Sequence, residues 1–179
     1  MAKIDQACLV IVDVQGKLAQ VMHEKEALFE QVAILVKAFS ELNRPILWCQ
    51  QVPEALGPTV EPIQSLLSGL QPINKACFSA WKCADFRSQF ENSDCSQVVL
   101  CGIESHICIY QTARDLLVNK FQVEVVADAV SSRTLENKAV GLERIREHGG
   151  QITSVEMVLF DLLETAEHSA FRALAKLIK

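Results

Sequence analysis

Short apolar runs alternate along this chain with longer stretches whose apolar residues recur every three or four positions, and few architectures satisfy that alternation. Ala7–Val14 is apolar at every position except Asp13, the pattern of a strand buried on both faces. Leu28, Val32, Leu35, Val36, Phe39 and Leu42 follow at helical spacing and predict an amphipathic helix from about Glu24 to Asn43. Pro45 opens a second strand, Ile46–Gln51, and a loop with Pro53, Gly57, Pro58 and Pro62 leads to a short helix near Glu61–Leu67. The pattern then predicts strands over Pro72–Lys75, Gln97–Gly102, Val123–Ala127 and Gln151–Ser154. Helices are predicted over Cys83–Glu91, Tyr110–Lys120 and Thr134–His148. In the last of these Ala139, Leu142 and Ile145 face inward, and Gly149-Gly150 ends it. The C-terminal stretch reads as helical to about Ile178. Strands joined by crossover helices pair in parallel, with helices on both faces of the sheet. A chain of 179 residues, 50% of them hydrophobic, suffices for one α/β domain spanning 1–179.

In such sheets ligands sit beyond the carboxyl ends of the strands, so the strand ends are where chemistry is sought. The first strand ends in Asp13-Val14-Gln15-Gly16, the third at Lys75 and the fifth in Asp128. The fourth leads into Gly102-Ile103-Glu104-Ser105-His106-Ile107-Cys108, where strand gives way to helix. The unpaired N–H groups of a first helical turn carry partial positive charge, which predicts that Cys108 ionises easily and acts as a nucleophile. A carboxylate, an ammonium and a thiol along one sheet edge form a catalytic set. The thiolate attacks a carbonyl, the carboxylate shuttles the thiol proton to the leaving group, and the lysine favours the charged forms of both. Each residue also has a plainer role: turn cap for Asp13 and Asp128, surface lysine for Lys75, apolar filler for Cys108. The joint placement of Asp13, Lys75 and Cys108 favours chemistry, whereas Asp128, followed by Ala-Val-Ser-Ser, reads as structural.

Several function classes fall away. With a net charge of −5 and no Lys/Arg cluster, the chain is not expected to bind nucleic acid. No apolar run is long enough for a bilayer, so no membrane partner is expected. The 7 cysteines form no CxxC pair and have no histidine at zinc-finger spacing, so no metal site is expected. No GxGxxG or P-loop follows a strand, and no cofactor is expected. Met1–Gln6 runs almost directly into the first strand, leaving no room for a signal peptide, so the expected location is cytoplasmic, with reduced thiols. A mean hydropathy of +0.19 predicts apolar surface that a homo-oligomer would cover.

Several separated segments agree in order with one known family. Asp13 within Val-Asp-Val-Gln, Lys75 with Phe78-Ser79-Ala80, and the Gly102–Cys108 segment with Thr112-Ala-Arg114-Asp115 resemble the isochorismatase-like cysteine hydrolases. Ala127-Asp128-Ala129-Val130-Ser131-Ser132-Arg133 and Thr153-Ser154-Val155-Glu156 extend the resemblance, which runs from Ala7 to about Leu163. The resemblance implies a three-layer α/β/α, Rossmann-like fold whose six parallel strands have the order 3-2-1-4-5-6. It further implies a triad of Asp13, Lys75 and Cys108, a cis peptide at Ile103–Glu104, and an oxyanion hole made by the N–H groups of Glu104 and Cys108. The zinc-binding nicotinamidase branch carries Asp-x-His after its second strand. Here that region reads Trp48-Cys49-Gln50-Gln51-Val52-Pro53, with no histidine between His23 and His106, so the chain resembles the compact members outside that branch.

The expected function is therefore a cofactor-free hydrolase acting on a small-molecule amide, ureido or ester-type substrate. The alternatives are a catalytically silent interaction or regulatory protein on the same scaffold, vinyl-ether hydrolysis of the isochorismate type, and a redox-sensing thiol. Gln15 and Leu18 after the first strand, Phe78 and Trp81 after Lys75, and His106 beside Cys108 are the expected substrate-binding residues. Aromatic residues beside a carboxamide and a nucleophile suit a small, flat or apolar acyl group. Arg114 and Asp115 are expected to form structural ion pairs.

Overall fold

The computed structural model describes residues 2–178, and in it the apolar runs become strands of one all-parallel sheet. The strands are β1 (Ala7–Val12), β2 (Ile46–Gln51), β3 (Ile73–Lys75), β4 (Gln97–Ile103), β5 (Gln122–Ser131) and β6 (Gln151–Thr153). Their spatial order is β3-β2-β1-β4-β5-β6, as the resemblance implies. β1 lies between β2 and β4 and is buried along its whole length, which is why its sequence shows no polar alternation. Its residues divide by parity. Ala7, Leu9 and Ile11 enter one apolar cluster, and Cys8, Val10 and Val12 enter the other.

The helices in chain order are α1 (Gly16–Gln20), α2 (Lys25–Glu41), α3 (Pro53–Leu56), α4 (Glu61–Gln64), α5 (Ala84–Glu91), α6 (Tyr110–Val118), α7 (Leu135–Glu147), α8 (Val155–Leu163) and α9 (Phe171–Ala175). Leu28, Val32, Leu35 and Phe39 of α2 join the first cluster with α8 and Leu174 of α9. Phe86 and Phe90 of α5, Ala113 and Leu116 of α6, and Ile145 of α7 join the second. Among the described residues no helix is long and apolar enough to cross a membrane.

Three sequence expectations change, each for a local reason. β5 does not stop before Asp128. It continues to Ser131, because Val130 and Ser131 pair again with Gly102 and Ile103 after a register shift. The carboxylate of Asp128 accepts the Val155 N–H at 3.0 and 3.3 Å, so it satisfies a donor that the first turn of α8 leaves unpaired. The C-terminal stretch is not one helix, since α8 ends at Leu163 and Glu164 adopts a left-handed φ of 56°. In α7, Ala139 is exposed and Gly141 is buried. The helix turns its glycine toward the β4–α6 connection, where an added Cβ would lie 2.6 Å from the Ser105 carbonyl carbon. Gly141 is therefore what lets α7 rest directly on the backbone of the segment that carries Cys108.

Candidate active site

The carboxyl ends of β1, β3 and β4 bring Asp13, Lys75 and Cys108 together. Asp13 has a left-handed φ of 57°, a conformation that aspartate tolerates better than most residues. It ends β1 and is only 2% exposed. The Lys75 Nζ donates to Asp13 Oδ2 at 2.7 Å and to Gln51 Oε1 at 2.7 Å. It also lies 3.2 and 3.3 Å from the carbonyl oxygens of Cys77 and Phe78. An ammonium has three hydrogens, so four acceptors already compete for them. Asp13 Oδ1, by contrast, is buried with no hydrogen-bond partner, although the Cys108 thiol is close enough to act on that carboxylate.

Cys108 lies in the first turn of the helical run that follows β4: it is the fourth residue of a π-helical turn, Ser105–Ile109, that leads without a break into α6. Burial raises its thiol well above the ordinary range, and the negative charge of Asp13 raises it further against the opposing effect of Lys75. The expectation of an easily ionised thiol is thereby overturned, because desolvation and a neighbouring carboxylate both disfavour a second negative charge. Burial likewise raises the Asp13 carboxyl, while the charge and hydrogen bond of Lys75 pull it back. Burial thus disfavours the charged form of both groups, and the Lys75 ammonium opposes that effect at each.

Gly102 sets the approach of the nucleophile segment to β1. Its φ is 115°, and a Cβ there would stand 2.1 Å from the Val12 carbonyl oxygen, so only glycine lets the strands meet at this point. The Ile103–Glu104 peptide that follows is cis. The N–H of Glu104 meets no acceptor among the described residues. Its carboxylate, 6% exposed, accepts the N–H and Nε–H of Arg133, both at 3.1 Å on Oε2.

A cavity of about 120 Å³ opens onto Cys108. Leu18, Leu56, Phe78, Ile103 and Ile107 form its apolar wall, and Asp13, Gln51 and Glu104 add polar groups. Leu18 and Phe78, two of the expected substrate-binding residues, line this cavity. Gln15 does not. It is fully buried, and its carboxamide accepts the Gln51 N–H at 2.7 Å and donates to the Gln51 and Gly57 carbonyls at 2.9 and 2.8 Å. It ties the end of β2 to the loop after α3, because a buried carboxamide needs all its partners. Trp81 lies outside the cavity lining, edge-on to Phe121 at 5.1 Å and Phe90 at 6.2 Å. His106 is also outside it, with Nδ1 3.0 Å from Ser132 Oγ. Arg114 and Asp115 pair at 2.8 Å, away from the cavity.

The sequence reading missed Gln51, Leu56, Ile103 and Ile107 as lining residues. Gln51 had a usable signal, since it is the last residue of a strand in a sheet whose strand ends carry the site. Leu56 had none: α3 is four residues long and lies within a proline-rich loop.

Residues 7–157 match the family model described as the isochorismatase domain. The chain belongs to the isochorismatase family. Isochorismatase domain-containing protein 2A of Mus musculus is 36% identical over 179 residues, covering 98% of this chain and 84% of that protein. Among solved structures of the same shape is one described as the MAR1 ribonuclease from Caenorhabditis elegans. It is 29% identical, with a TM-score of 0.92 over 99% of this chain and 91% of that one. The YcaC gene product of Escherichia coli, described as an octameric hydrolase of unknown specificity, has a TM-score of 0.93 over 99% of this chain and 88% of its own. At 20% identity it bears on the fold alone. Membership in the isochorismatase family supports a hydrolase.

Proposed function

We propose that this isochorismatase-family chain is a cofactor-free hydrolase in which Cys108 is the nucleophile, Asp13 its base and Lys75 the charge that holds Asp13 ionised, acting on a small amide, ureido or ester-type substrate. The observation that carries this reading is the Asp13 carboxylate, buried against the Cys108 thiol, whose Oδ1 meets no N–H or O–H donor. Unsatisfied buried acceptors are rare and destabilising, and this one is where a base would stand.

As Sγ bonds to the substrate carbonyl carbon, Asp13 takes the thiol proton, so the two groups never carry charge together. The carbonyl oxygen, now negative, is received by the N–H groups of Glu104 and Cys108. Collapse expels the amine or alcohol, which takes the proton back from Asp13 and leaves a thioester. Water then attacks the thioester with Asp13 again accepting a proton, and the acid departs as the thiol is restored. Gln51 accepts a second hydrogen bond from the Lys75 ammonium and is a positioning residue.

The Caenorhabditis elegans relative is described as a ribonuclease. The cavity here favours a smaller substrate, because an RNA phosphate is held by cations and the one beside Cys108 is already fully bonded. The exposed Leu135 and Val140 on α7 and Met157 and Phe160 on α8 support a homo-oligomer, which light scattering at micromolar concentration tests. The test of the nucleophile is intact-mass detection of adducts with small amides, esters or electrophilic acyl probes, followed by peptide mapping. An adduct at Cys108 that is lost in Cys108→Ala supports the reading, and equal labelling of parent and variant removes it.

A further inference from the structure

Among the described residues, no cation lines the cavity above Cys108. Lys75, which bonds the lining residue Asp13, has Asp13, Gln51 and two carbonyls within 3.3 Å for its three hydrogens. Arg133 bonds the Glu104 carboxylate and does not line the cavity. The ionisable groups that do line it, apart from the thiol itself, are two acids, Asp13 and Glu104, and the rest of the wall is chiefly aliphatic or aromatic. A carboxylate or phosphate entering here would leave water for an apolar surface beside two carboxylates, with no donor cation to replace its hydration.

A neutral carbonyl compound meets the opposite situation. The Glu104 N–H has no acceptor among the described residues and can take a carbonyl oxygen. The wall of Leu18, Leu56, Ile103 and Ile107 can take an alkyl chain. Size sets a second limit. An apolar cavity of about 150 Å³ takes benzene, so roughly five non-hydrogen atoms fill this one.

We propose that the site is built for uncharged acyl compounds with short aliphatic acyl groups, simple neutral amides or esters, and that it excludes substrates carrying a carboxylate, the dicarboxylate vinyl ether isochorismate from which the family takes its name among them. The proposal rests on Cys108 being the nucleophile, and the test separates the two.

Iodoacetamide and iodoacetate present the same carbon and the same leaving group and differ only in charge. In both reactions the Cys108 S–C bond forms as the C–I bond breaks, iodide departs, and the thiol proton passes to Asp13 and on to solvent. Rates at Cys108 are followed by peptide mapping and normalised to those of glutathione with the same reagents. The expected amide-to-acid rate ratio is at least tenfold above that of glutathione. A ratio equal to or below that of glutathione overturns the charge proposal and leaves the nucleophile standing. Absence of labelling by either reagent in the folded protein overturns the nucleophile reading and this one with it.

In Leu18→Lys, which places an ammonium on a half-buried part of the wall, the ratio is expected to fall at least fivefold, and an unchanged ratio counts against the proposal. Isovaleramide and malonamate, equal in the number and arrangement of their non-hydrogen atoms, extend the test to turnover by ammonia release. Hydrolysis of isovaleramide with at least tenfold higher kcat/KM is the expected result, and equal or greater turnover of malonamate overturns the proposal.

Discussion

Replacing Lys75 by methionine keeps most of the side-chain stem and removes the charge that faces Asp13. The pair is almost completely enclosed, with side-chain exposures of 0% and 2% and a separation of 2.7 Å. At an effective dielectric of ~20, charges that close attract by about 6 kcal/mol, and much of that is offset by taking both ions out of water. Removing one partner forfeits the attraction and leaves the desolvated carboxylate behind, which destabilises by about 3–5 kcal/mol. For a chain of this length that lowers Tm by roughly 6–20 °C.

The loss has a definite pH dependence. The Asp13 carboxyl is already raised in the folded protein, with burial the leading cause and Lys75 opposing it. Its contribution to stability is therefore present below the unfolded aspartate pKa and is lost as pH rises through the folded value. Without Lys75 the folded value moves higher still, so the carboxyl of the variant is neutral over a wider acidic range. The Tm gap between parent and Lys75→Met is expected to be largest at pH 8 and to narrow toward pH 5. Adding Asp13→Asn to Lys75→Met should recover part of the loss, because it removes the orphaned charge. Differential scanning calorimetry of the three proteins across that pH range is the assay. A single variant that melts within about 2 °C of the parent at pH 8, a gap that widens toward acid, or no recovery in the double variant would refute the reasoning.

Gly141→Ala drives a Cβ to within 2.6 Å of the Ser105 backbone; overpacking of this kind destabilises by about 1–3 kcal/mol. Alkylation of Cys108 should slow more than Tm alone would explain, and an unchanged rate would show that α7 does not set the nucleophile turn. Gln15→Leu strands the Gln51 N–H and the Gln51 and Gly57 carbonyls, with an expected loss of about 1–3 kcal/mol for a buried group left unpaired, read by urea denaturation. Cys95 is the thiol expected to react outside the cavity: contact with the Cys8 thiol, Ser93 and Arg44 lowers it to about 6 despite opposing burial, with the Arg44 Nη2 3.6 Å away. Iodoacetamide at pH 7 should modify Cys95 before Cys49 or Cys101, and Arg44→Met should slow it several-fold. The Cys108 rate with the same reagent should keep rising to pH 9 without a plateau, since its thiol is raised; a plateau near neutrality would indicate a free thiolate instead.

The alternation of strand and helix, the burial of β1 on both faces and the amphipathic face of α2 were all legible in the order of residues. The periods that distinguish a strand from a helix are local and survive in a one-dimensional string. Asp13, Lys75 and Cys108 could be singled out for the same reason, because each lies at or just beyond a strand end in a parallel sheet. The tertiary structure alone decided their electrostatics. Whether Cys108 is ionised depends on its enclosure and on Asp13, which is 95 positions away in sequence, and these outweigh the favourable look of a strand-to-helix turn. The same holds for the cavity. Gln15 and Trp81 lie within a few residues of Asp13 and Lys75 along the chain but make their contacts in the protein framework, while Leu56 and Ile107 reach the wall from separate elements. Sequence proximity records neither the direction of a side chain nor the partners already holding it, and those two quantities determine what the site can bind.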